Sequence, residues 1–322
     1  GRRVGRRLTG RVGQVRIGVV LGGGGTVGYG WHTGVLRGLH EVVGIDPREA
    51  AEMVGTSAGS YAVAYTRAGI SGADLFALAV GDKPSAAGAE MVALGGPMGE
   101  LAAPGKRALR PSDATVLKEA WRARRVPRIG ALVGGLLPTG DVSAEPYLGP
   151  IRRLYADRPW PAGMRIPAVR QRDGARVVFD ASSDVGVADA VAASSAVPAY
   201  MEPIVLHGER YVDGTAHAPT NADVLAGAGL DVVVVSAPMS PPAQGVQLNA
   251  GLPLRVWASR HLQREVAALV HAGTRVLSIT PSVKTRETMA PSGMSEAVRA
   301  PAARAAYQQM LDTGEALARQ LS

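Results

Sequence analysis

Val15 to Leu21 reads VRIGVVL, a short run with little polar interruption, and it ends directly in four glycines, Gly22 to Gly25. A strand that is apolar on both faces has to be covered on both. That suits the interior of a parallel sheet packed between helices. After the glycines, Trp31, Val35, Leu39 and Val42 recur on one side of a helical pattern. Strand, glycine loop and helix in that order present backbone N–H groups at a helix start to something negative.

The same alternation returns. The short run AEMV, Ala51 to Val54, can be a strand and leads into Gly55-Thr56-Ser57-Ala58-Gly59 and an alanine-rich helix. Asp231 to Ala237 and Arg275 to Ile279 are further apolar strands, with a helix from Trp257 to His271 between them. Asp173-Gly174 marks one hairpin, and His207-Gly208-Glu209 turns between strands Ile204 to Leu206 and Arg210 to Val212. Helical patterns start at Val187, cover Leu148, Ile151 and Leu154, and close the chain, where Pro301 kinks or restarts the last helix. The fold class expected is α/β, a mostly parallel sheet sandwiched between helices.

Between 73 and 150 the pattern is less regular. Helices are expected at Ala73 to Leu78 and Asp113 to Arg124, among many glycines and prolines. Leu132, Val133, Leu136 and Leu137 are either an ordinary buried loop or the lining of an acyl-chain pocket or lid. The division expected is a basic tail over 1–14 and one catalytic domain over 15–322, with 73–150 as its variable cover.

With 322 residues the chain can bury a sizeable core. It has no cysteine, and its six histidines form no H-E-x-x-H pattern, so neither a metal site nor a cofactor is expected. The net charge is +8, and six arginines fall within residues 1–16. That segment is either a solvated tail or a weak attractor for anionic membrane surfaces or nucleic acid. With two phenylalanines in the chain, the basic–aromatic interleaving of a nucleic-acid groove is missing, and specific nucleic-acid binding is not expected. The basic start lacks the apolar core of a signal peptide. The expected location is cytoplasmic, or peripheral at a membrane.

The chemistry turns on three stretches. The Gly22 to Gly28 loop could hold a nucleotide phosphate, but it lacks the Gly-Lys-Ser/Thr of a Walker A motif and the later acidic residue of a dinucleotide site. Its other use is an oxyanion hole. Ser57, at the centre of a G-x-S-x-G turn, is the nucleophile candidate, and that pairing favours the oxyanion reading. The histidines give no clear base: His32 lies at a helix start, which disfavours its charged form, and only His217 sits in a loop able to face the site. Asp213-Gly214 ends a strand and is either an ordinary turn or a placed carboxylate.

Taken together, Gly23-Gly24-Gly25-Thr26-Val27-Gly28 with Gly34-Val35-Leu36, the Ser57 motif, and Asp213-Gly214-Thr215 after AASSAVPAYMEP resemble the patatin-like phospholipases and acyl hydrolases. The resemblance covers roughly 15–72 and 165–240. It implies a patatin-like three-layer α/β/α sandwich related to the α/β-hydrolases. It also implies a Ser57–Asp213 dyad, an oxyanion hole from Gly23, Gly24, Gly25 and Ala58, and supporting glycines Gly28, Gly55, Gly59 and Gly214. The substrate implied is a lipid ester, phospholipid or lysophospholipid. Acyl transfer from the same acyl-enzyme and a catalytically impaired lipid-binding protein are the alternatives. Val27 stands where the family commonly has Arg or Lys, which implies an altered substrate preference, and Thr215 replaces a glycine. An aspartate with an ordinary pKa of about 3.9 is a poor base at neutral pH, a tension the sequence leaves open.

Overall fold

A computed structural model describes residues 15–95, 111–112, 129–143, 145–240, 252–289 and 293–321. The expected tail over 1–14 and the helix at Asp113 to Arg124 lie outside the described residues. In chain order the elements are β1 (Ile17–Leu21), α1 (Gly25–Gly38), β2 (Glu52–Gly55), α2 (Ala58–Arg67), α3 (Gly72–Val80), α4 (Ala86–Gly95), α5 (Ile129–Leu136) and α6 (Glu145–Leu154). There follow β3 (Met164–Arg170), β4 (Ala175–Phe179), α7 (Val187–Ser195), β5 (Ile204–Leu206), β6 (Glu209–Asp213), β7 (Val232–Ser236), α8 (Leu252–His271), β8 (Arg275–Ile279), α9 (Val283–Glu287) and α10 (Arg299–Leu321). Pro301 falls in the first turn of α10, where its missing N–H costs nothing, so it restarts the helix after a short 3-10 turn at Glu296–Val298.

The strands form one eight-stranded sheet in the order β5-β6-β3-β2-β1-β7-β8, with β4 beside β3. From β3 to β8 along that order the pairs are parallel. The hairpin strands β4, β5 and β6 add antiparallel pairs. The continuous apolar run of β7 is explained by its two neighbours. Val232 and Val234 pack with Trp31 and Val35 of α1, Leu39 just after it, and Met310 of α10. Val233 and Val235 pack on the other face with Leu262 and Leu269 of α8. This is a three-layer α/β/α sandwich around a mostly parallel sheet, and each fully covered valine contributes about 1.5–3 kcal/mol. Among the described residues no helix is long and apolar enough to cross a membrane.

Two features of this frame position the site. First, β2 pairs with Met164 and Arg165 of β3, while β6 pairs with Ala168, Val169 and Arg170 from the opposite direction. The end of β2 and the end of β6 therefore converge beside Pro167 and Ala168. Second, α1 is held against α10 by a stripe of glycines. A Cβ at Gly30 would lie 2.3 Å from the Arg299 carbonyl oxygen, and one at Gly34 would lie 2.4 Å from that of Ala303. The stripe lets two backbones touch and fixes the helix that carries the glycine loop at its start. Gly34→Val is expected to destabilise the fold by about 3 kcal/mol or more, because the contact is with backbone that has nowhere to move; urea unfolding measures it.

Candidate active site

The sharp turn between β2 and α2 is built by its two glycines. A Cβ on Gly55 would come within 2.7 Å of the Ser60 Cα and the Gly59 carbonyl oxygen. One on Gly59 would sit 1.9 Å from the Leu21 carbonyl oxygen, at the end of β1. Between them Ser57 adopts φ 53° and ψ −121°, a conformation side chains rarely take, so surrounding contacts must hold it there. Hydroxyls do so. The Ser57 N–H donates to Ser194 Oγ at 3.0 Å, and Ser194 Oγ donates to the Pro167 carbonyl at 2.6 Å. The Ser57 carbonyl accepts from Ser60 Oγ at 2.6 Å and from Ser195 Oγ at 3.4 Å.

Asp213, the last residue of β6, is fully buried, and Ser57 is 4% exposed. Ser57 Oγ donates to Asp213 Oδ2 at 2.6 Å, and Asp213 Oδ1 accepts from the Thr215 N–H at 2.7 Å. Burial pushes the Asp213 carboxyl up to about 6, restrained by the hydrogen bonds from Ser57 and Thr215. The tension between a weak base and neutral pH is thus eased by desolvation. Gly214 allows the approach, since a Cβ there would lie 2.4 Å from the Pro167 carbonyl oxygen.

The glycine loop lies on the other side of Ser57. Gly23 is the exception to its expected role: its N–H donates to the Pro219 carbonyl at 2.8 Å. The Gly28 N–H closes the first turn of α1 on the Gly24 carbonyl at 2.9 Å, and the Val27 N–H goes to the Gly293 carbonyl. The amides of Gly24, Gly25 and Ala58 have no acceptor among the described residues, as helix starts leave them. Val27 is buried at 2% exposure.

His32 belongs to the frame. Its Nε2 donates to the Gly22 carbonyl at 2.6 Å, so Nδ1 accepts from Ser236 Oγ at 2.9 Å, and Ser236 Oγ in turn accepts from Trp31 Nε1. Burial lowers its pKa to about 4, so it is a neutral brace under the loop. His40 is exposed, His207 bonds the Asp184 carbonyl, and His261 packs its ring at a tilt against Trp257. His217 is half-buried near Asp223. The hydrogen bonds that Asp213 accepts come from Ser57 and Thr215.

Ser57, Gly25 and Ala58 open into a pocket whose walls include Tyr29, Tyr61, Tyr147, Val197, Met201 and Met294. Tyr147 also donates its hydroxyl to Glu296, tying α6 to the turn that precedes α10. Sequence reasoning did not assign Ser60, Ser194, Ser195 or these pocket residues. The run AASSAVPAY was noticeable, but nothing in it says which hydroxyl meets the Ser57 peptide.

This geometry can be set beside known proteins. The family model described as patatin-like phospholipase matches residues 19–226. No curated protein matches the chain. The crystal structure of VipD from Legionella pneumophila aligns at 16% identity and a TM-score of 0.40, covering 92% of this chain and 66% of that one. The family match spans both the Ser57 turn and Asp213, and this chain belongs to the patatin-like phospholipase family.

Proposed function

We propose that the protein is a serine acyl hydrolase that cleaves the carboxylic esters of lipids, phospholipid or lysophospholipid first. The observation that carries the proposal is the 2.6 Å hydrogen bond from Ser57 Oγ to the buried Asp213 carboxylate. Ser57 Oγ attacks the acyl carbonyl carbon as its proton passes to Asp213 Oδ2. The oxyanion is stabilised by the amides of Gly24, Gly25 and Ala58, at the positive ends of α1 and α2. Collapse of the tetrahedral intermediate expels the alcohol, which takes the proton from Asp213. Asp213 then takes a proton from a water that attacks the acyl-enzyme, and returns it to Ser57 Oγ as the C–O bond to Ser57 breaks and the carboxylic acid leaves. The aromatic and methionine walls of the pocket support an apolar acyl group as the part bound there.

An ester panel, from short acyl nitrophenyl esters to phospholipids, tests this. Ser57→Ala and Asp213→Asn are each expected to lower turnover by about 10³-fold or more while the fold is kept. His217→Ala is expected to retain most of the activity; if it lost turnover while Asp213→Asn did not, a histidine base would replace the dyad.

Because Asp213 must be ionised to take the proton, kcat/KM is expected to rise with pH through a midpoint near 6 and to level off above it. A stopped assay across roughly pH 4.5–9 reads the limb directly.

The same shift affects stability. A carboxyl whose pKa is raised on folding stabilises the fold below its unfolded value, and that contribution is lost as pH rises through the folded one. From the ordinary carboxyl value of 3.8 to about 6, the loss amounts to about 3 kcal/mol. Asp213→Asn does not suffer it. The Tm of Asp213→Asn relative to the wild type is therefore expected to climb between pH 4 and 7, the range about that shift, as thermal melts will show.

A further inference from the structure

Glu265, on α8, takes no part in the proposed reaction, yet it is buried at 5% exposure. Its Oε2 accepts from Thr220 Oγ1 and from the Ala222 N–H at 2.9 Å. Its Oε1 has no hydrogen-bond partner among the described residues. A buried carboxyl with one doubly engaged oxygen and one bare oxygen calls for a reason.

The reason lies in what the segment Pro219 to Ala222 holds. The Pro219 carbonyl accepts from the Gly23 N–H at 2.8 Å, which ties the segment to the glycine loop. The Thr220 carbonyl accepts from Thr56 Oγ1 at 3.3 Å, next to the nucleophile. Asn221, in the left-handed region at φ 53°, sends Nδ2 to Thr56 Oγ1 at 3.2 Å and to the Gly214 carbonyl at 3.4 Å. One short segment thus touches the glycine loop, the residue before Ser57 and the residue after Asp213. Glu265 grips it at both Thr220 and Ala222.

We propose that Glu265 is a positioning residue for the Ser57–Asp213 pair, holding the Pro219–Ala222 segment that sets the register between the three parts of the site. This rests on the hydrolase reading above and deepens it. Burial pushes the Glu265 carboxyl up to about 7; the two hydrogen bonds and Arg176 oppose that rise, and Asp223 adds to it. Arg176 is itself paired with Asp223 and reaches Asn221 Oδ1 at 3.3 Å, and on α8 the neighbouring groups are His261 and Arg264. Below neutrality the carboxyl is mostly neutral. Its proton sits on Oε1, where the described residues offer no acceptor, and Oε2 stays available to both donors. The bare oxygen is the place where the proton goes. Glutamine reproduces this arrangement, with its amide oxygen in the place of Oε2; leucine does not.

The test uses the full chain with Glu265→Gln, Glu265→Leu and Thr220→Val, measured by steady-state kinetics on a nitrophenyl ester and by hydrogen exchange read by mass spectrometry. Glu265→Leu is expected to lose roughly 10-fold to 100-fold in kcat with KM within about 2-fold of the wild type. Exchange is expected to rise about 10-fold in peptides covering Gly22–Gly25, Thr56–Ala58 and Asp213–Ala222, but not in α1 beyond its first turn or in α10. Glu265→Gln is expected to stay within about 3-fold of wild-type kcat. It should also gain in Tm over the wild type as pH rises through about 7, since it escapes the cost of the buried charge.

Wild-type kcat in Glu265→Leu, or exchange that rises evenly over the whole chain, would overturn the proposal and leave Glu265 as an ordinary packing residue. If Glu265→Leu does not fold, Thr220→Val carries the test. It removes one of the two donors and is expected to loosen the same three peptides to a smaller degree, and no local change there overturns the proposal. A wild-type protein without esterase activity would sink the hydrolase reading, whereas exchange would still decide whether Glu265 holds the three segments.

Discussion

Gly59 brings the first turn of α2 so close to the end of β1 that a Cβ there would lie 1.9 Å from the Leu21 carbonyl oxygen. The rest of the site depends on that contact. It presses the Ser57 turn against the glycine loop, so that the starts of α1 and α2 line one pocket. Because both helices begin at the same edge of a parallel sheet, their dipoles act together there. Moving either helix outward by the radius of a methyl group would separate Ser57 from the amides proposed to serve it.

Asp213 reaches this place by a different route. It arrives on β6, antiparallel to β3, and meets the end of β2 head-on beside Pro167 and Ala168. The antiparallel hairpins at that end of the sheet are what allow a carboxylate to stand at a strand end facing a serine that comes off a parallel strand. Burial then sets its chemistry: with the carboxyl removed from water and hydrogen-bonded by Ser57 and Thr215, its pKa settles near 6. A strongly ionised, well-solvated aspartate would accept a proton from serine poorly, and a fully desolvated one without donors would not ionise at neutral pH. The hydrogen bonds moderate the desolvation.

The strained Ser57 backbone is held by hydroxyls from neighbouring helices. Ser194 and Ser195 come from α7 and Ser60 from α2, and their hydroxyls take both the N–H and the carbonyl of Ser57. His32, the histidine nearest the glycine loop, is neutral and spends both ring nitrogens on Gly22 and Ser236. Its part is structural, since a protonated imidazole at that buried helix start would be costly.

The sequence by itself determined the parts whose cause is local. Apolar runs bounded by glycine gave β1, β7 and β8, turn pairs gave both hairpins, and the G-x-S-x-G spacing gave the sharp turn, since each follows from period, covering and φ/ψ. It also singled out Ser57 and Asp213 by the segments around them. Only the tertiary structure decided which groups meet. Ser194 lies 137 positions from Ser57, and Glu265 lies 43 positions from Ala222. A serine in an alanine-rich helix or a glutamate in an amphipathic one looks like any other until packing brings its partner within 3 Å (the reach of an ordinary hydrogen bond, about 2.7–3.2 Å). Gly23 illustrates the same limit: its place in the loop was legible, but the direction of its N–H was set by Pro219, which arrives from a distant segment. Local periodicity records which face is buried; it does not record what waits on the other side.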